Sequence, residues 1–143
     1  MKRKYFLIGV PVIAAAAATF QLASNPAPEN APQSNAQGEP IVTVQMPPLE
    51  GNSLIGQQIF TRRCAECHGD NAAGKEGAGP PLIHIIYEPS HHADEAFQRA
   101  VALGVRSHHW SFGDMPPVDG LTRGDVAMVT AYIRDVQRAN GIQ

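Results

Sequence analysis

Cysteine is scarce: two residues in 143, too few for a structural zinc site built on four thiolates. Surplus positive charge is missing too. Eleven Lys and Arg stand against thirteen Asp and Glu, giving a formal net charge of −2 and a pI near 6.3, and no basic stripe survives beyond the first four residues. That balance argues against a nucleic-acid partner. No window alternates polar and apolar residues well enough for a buried strand, and there is no internal repeat, so the expectation is an all-α chain of about one domain.

The N-terminus has the layout of an export segment. Lys2, Arg3 and Lys4 precede an apolar run over residues 5–20 that includes five successive alanines, matching the charged and apolar regions of a signal peptide. Ala16 and Ala18 offer a small-residue cleavage site, while the run to Leu22 approaches the ~20 residues that span a bilayer. Residues 1–23 are therefore read as an export signal or an N-terminal membrane anchor. Residues 24–52, with Pro26, Pro28, Pro32, Pro40, Pro47 and Pro48 among Asn, Gln and Ala, are read as a linker. The folded unit is placed at 53–143, a size at which polypeptide alone makes a thin core.

Within that unit the periodicity predicts three helices. Over residues 53–63, Ile55, Ile59 and Phe60 recur at helical spacing, with Ser53 or Asn52 as the cap. Over residues 94–104, Phe97 and Val101 share a face and Gly104 supplies the stop. The third opens on a Thr122/Asp125 capping box, carries Val126, Val129, Ile133 and Val136 on one face, and ends at Asn140-Gly141. Glycine- and proline-rich loops over 69–81 and 111–120 lie between them.

The chemistry is concentrated in Cys64-Ala65-Glu66-Cys67-His68, the C-x-x-C-H spacing of covalent haem attachment. Two cysteines three apart project from one side of a helical turn, where both sulfurs reach one edge of a macrocycle, and the adjacent histidine falls beneath the iron. A redox dithiol expects a preceding strand and a βαβ setting, which this chain lacks. A structural disulfide leaves His68 without a role. Residues 69–75 match the start of a phosphate-binding loop, but Glu76 stands where Ser or Thr must meet magnesium, so these glycines are read as a turn.

A second axial ligand has candidates in Met46, Met115, Met128, His84, His91, His92, His108 and His109. Met128 falls near the apolar face of the third helix and Met46 in the linker. Met115 follows Gly113-Asp114 and precedes Pro116-Pro117, on a loop whose prolines fix the backbone, and a soft thioether must be held rigidly to bind iron. It is the expected ligand. A His/Met pair closes both axial positions and raises the reduction potential, which suits a carrier; a vacant position would suit a sensor or peroxidase-like enzyme.

With these residues assembled, the chain from about residue 53 to 142 resembles the single-haem class I cytochrome c domains of exported bacterial proteins. The resemblance rests on C-x-x-C-H, on Gly56, Phe60 and Tyr132 at positions where that family crosses its terminal helices, on Gly79-Pro80-Pro81-Leu82 and on Met115-Pro116-Pro117. It implies three to five short helices wrapped around one covalent haem c, with the Pro80 carbonyl accepting a hydrogen bond from His68. It also implies a non-enzymatic electron carrier, periplasmic or tethered to the outer face of the inner membrane, working between a reductase or dehydrogenase donor and an oxidase or other acceptor. Trp110 is expected to pack near the haem, with His108, His109 or Arg106 available to the propionates. The pairs His91-His92 and His108-His109, with His84, depart from the commoner pattern. They are read as polar loop residues, with a second metal site or a metallochaperone-like module as the alternative.

Overall fold

The structure is a computed structural model that describes residues 38–143. The export segment and the first part of the linker lie outside the described residues. Four α-helices follow in order: α1 (Gly51–Arg63), α2 (Ala65–His68), α3 (Asp94–Leu103) and α4 (Arg123–Ala139), with 3-10 turns at Asp70–Ala72 and Ile85–Tyr87. Among the described residues there is no strand, only isolated antiparallel bridges pairing Lys75 with Gly79 and Val105 with Met115. No helix there is long and apolar enough to cross a membrane.

α1 and α4 cross at Gly56. A Cβ added there would lie 1.9 Å from the Met128 carbonyl oxygen, so only glycine lets the two backbones approach this closely. The Phe60 and Tyr132 rings pack beside the crossing, centroids 5.4 Å apart. Ile59, Ala72, Ile83, Val129, Ile133, Val136 and Ile142 complete the core, with Met128 partly buried against it. Because the crossing runs through Gly56, the buried stripe of α1 is Ser53, Gly56, Ile59 and Phe60, and Ile55, expected on that face, is exposed.

The ends of α3 and α4 that the sequence marked follow their local chemistry, and the start of α1 does not. The capping box of α4 is complete: the Asp125 N–H donates to the Thr122 hydroxyl oxygen at 3.1 Å, and the Thr122 N–H donates to the Asp125 carboxylate at 2.8 Å. Gly104, at φ +74°, ends α3, and Gly141, at φ +78°, follows α4. At α1, neither Asn52 nor Ser53 caps. The helix starts two residues earlier, after Glu50, and the Ser53 hydroxyl donates to Asp135 across the α1/α4 contact instead.

The second part of the predicted linker lies along the domain. The Ile41 and Val42 N–H groups donate to the Ala73 carbonyl, Gln45 exchanges hydrogen bonds with the Asn140 side chain, and Val44 and Leu49 pack on the core. Prolines at 40, 47 and 48 do not prevent this, because the segment needs only a few backbone donors in an extended course.

Candidate haem site

The attachment motif sits directly after α1. The chain bends at Cys64, and the Cys67 and His68 N–H groups donate back to the Cys64 carbonyl, forming the single turn of α2. Both thiols are free, Cys67 exposed and Cys64 half-buried. Burial pushes the Cys64 thiol up to about 11, with Cys67 adding to the shift and Arg63 opposing it. A redox dithiol needs the reverse, a thiol stabilised as thiolate.

His68 is held by one bond. Its Nδ1–H donates to the Pro80 carbonyl at 2.9 Å, as the resemblance implied, and this fixes the tautomer with the lone pair on Nε2. Burial lowers its pKa, outweighing the opposing effect of that hydrogen bond, so the ring stays neutral and ready to ligate at neutral pH. The loop that supplies Pro80 presses against the motif. A Cβ at Gly79 would meet the Cys67 carbonyl oxygen at 2.7 Å, and the residues 69–75 turn returns the Gly74 N–H to the His68 carbonyl at 2.7 Å. Those glycines form a turn, and the phosphate-loop spacing is coincidental.

Met115 is half-buried on the loop after α3. It exchanges both backbone hydrogen bonds with Val105 at 2.9 Å, and a Cβ at Gly104 would meet the Met115 carbonyl oxygen at 2.5 Å. The thioether is therefore carried on backbone fixed from two sides. Trp110, between Val105 and Met115, packs edge-on to His84 and stacks on Phe112, and its Nε1–H is buried without a hydrogen bond of normal geometry, the Tyr87 side chain lying beside it.

The Cytochrome c family model matches residues 53–137, more than half of the chain. The chain belongs to the cytochrome c family. No solved structure matches it. The fold is accordingly the all-α class I cytochrome c fold, the cofactor is covalent haem c with its iron, and the domain is that of a haem-based electron carrier acting with redox partner proteins. The residues present fit such a cofactor on observations within the cytochrome c domain itself. Two unbridged thiols stand at attachment spacing, and a neutral imidazole has an uncommitted Nε2.

Two parts of the site were not foreseen. Arg134 and Gln137 are buried on the apolar face of α4 and tie down the loop over residues 82–92: Arg134 Nη1 donates to the Tyr87 carbonyl at 2.6 Å, Arg134 Nη2 to the His92 carbonyl, and Gln137 Nε2 to the Leu82 carbonyl at 2.9 Å. Polar residues three apart on an otherwise apolar stripe were the available signal. The second is convergence of the histidine pairs. His91, His92 and His109 place ligating nitrogens within 4.8 Å of one another, and the His108 ring lies tilted against His109, centroids 4.2 Å apart. Desolvation, with the imidazoles of His108, His92 and His91, holds His109 below the ordinary histidine value.

Proposed function

We propose that this cytochrome c domain carries one electron at a time between a reductase or dehydrogenase and an oxidase or other acceptor, with Cys64 and Cys67 forming the thioethers and His68 and Met115 as axial ligands. The observation that carries the reading is the His68 imidazole, which follows the two thiols, is neutral, and is oriented through Nδ1 by Pro80 so that Nε2 alone is available. When bound, haem iron ligated by His and Met supplies a one-electron couple of raised potential with no open position. The protein's part is positional. Pro80 sets the tautomer and basicity of His68, the Val105 bridge and the Pro116-Pro117 pair restrain Met115, and Trp110 would offer its Nε1–H to a propionate. Work at the periplasmic face of the inner membrane, free or tethered, is supported by the charged and apolar layout of residues 1–23.

The reading is tested by spectroelectrochemical titration of the haem-loaded chain. A reversible one-electron transition is expected, with a ferric methionine–iron charge-transfer band and no carbon monoxide uptake by the reduced protein. Rapid carbon monoxide binding by the unaltered protein would overturn it in favour of an open iron.

A further inference from the structure

The histidine pairs occupy two loops that flank α3. His91 and His92 end the segment tied down by Arg134, and both of their N–H groups donate to the Glu88 carbonyl. His108 and His109 lie on the loop leading to Met115, where the Ser107 N–H donates to the Asp114 carboxylate at 2.8 Å and the Ser107 hydroxyl to the Trp110 carbonyl. Three imidazoles from two separately anchored loops, His91, His92 and His109, thus meet at one surface point, with the His108 ring packed beside them.

Two of the tautomers are fixed by backbone carbonyls. His92 Nδ1–H donates to the Ile86 carbonyl at 2.6 Å, and His108 Nδ1–H donates to the Arg106 carbonyl at 2.8 Å. Each bond leaves Nε2 as the nitrogen bearing the lone pair, the same device by which ligating histidines are commonly oriented. His91 Nε2 and His109 Nε2 share a hydrogen bond at 3.3 Å, whose proton a bound ion would displace. Two nitrogens bound at about 2.0–2.1 Å to one tetrahedral ion are separated by about 3.3 Å, so this pair already has the spacing of two ligands on a shared metal. The half-buried His92 backs the cluster, while His91 and His109 are open to solvent.

We propose that His91, His92 and His109 form a binding site for a divalent first-row transition ion, separate from the haem and acting as a clip between the two loops beside α3. All-nitrogen donor sets favour copper(II) and zinc(II), and the Irving–Williams order places copper(II) first, which makes it the probe. The clip restrains the loop that carries Met115.

The test is titration of the untagged, haem-loaded full chain with copper(II) against a competing chelator, followed by paramagnetic resonance. One equivalent should bind, with hyperfine structure from at least three nitrogens, leaving the haem optical spectrum unchanged and raising the thermal unfolding midpoint. His91→Ala and His109→Ala, both on exposed side chains, should each weaken binding by about 10–100-fold while keeping the haem spectrum. Copper(II) bound equally well by the His91→Ala/His109→Ala double variant would overturn the site. So would a copper-dependent change at the haem, which would place the ion on an axial ligand.

Discussion

Arg134 lies 6% exposed on α4, yet its guanidinium is matched on every side: to Asp94 at 2.9 Å, to the Gln137 side chain at 2.6 Å, to the Tyr87 and His92 carbonyls, and over the Phe97 ring with the cation 5.0 Å from its centroid. Removing it strands buried acceptors and leaves a cavity, so Arg134→Ala should cost about 2–4 kcal/mol in denaturant unfolding. Arg134→Lys should recover little, because an ammonium cannot reproduce the planar fork. The variant also separates structural from metal roles, since it frees the His92 carbonyl while leaving all four imidazoles present. At the haem, Met115→Ala should abolish the charge-transfer band, admit carbon monoxide and lower the midpoint potential by on the order of 0.1 V or more, measured by redox titration.

Among the elements, the α1/α4 crossing is the most constrained. Gly56→Ala places a methyl group within 1.9 Å of backbone on α4, which no side-chain rotation relieves, so the helices must separate. A loss of about 2–4 kcal/mol in unfolding free energy is expected, far beyond the gain in helix propensity. The cap of α4 sets a pH dependence. The Thr122 hydroxyl, and next its backbone N–H, hold the Asp125 carboxyl below its ordinary value. A depressed folded pKa stabilises above the unfolded value of about 3.9, and that contribution is lost as pH falls through the lower folded value. Asp125→Asn should therefore unfold earlier than the parent at neutral pH, and the gap should close as pH falls below the ordinary aspartate range. The sequence made this cap legible because its partners are three residues apart. The start of α1 was not, since Ser53 finds Asp135 through tertiary packing that no local pattern encodes. For the same reason Ile55 was misplaced: the face α1 buries is chosen by where Gly56 meets α4.

Across the whole molecule, what local spacing determines could be read before the fold: the attachment motif, the three longer helices and the loop bearing Met115. What depends on distant segments meeting could not. The packing of residues 38–49 along the domain, the hold of α4 on the loop over 82–92 and the meeting of His91 and His92 with His109 all join residues far apart in sequence. A unit this small gains much of its order from what it encloses. Attachment of haem through both Cys64 and Cys67 is thus the claim on which the electron-carrier account rests. Protein produced with a working cytochrome maturation system should be denatured, stripped with acidified organic solvent and examined for haem by its pyridine complex. The account predicts that haem stays with the chain and is lost in Cys64→Ser/Cys67→Ser; a colourless chain with all haem in the solvent would contradict it.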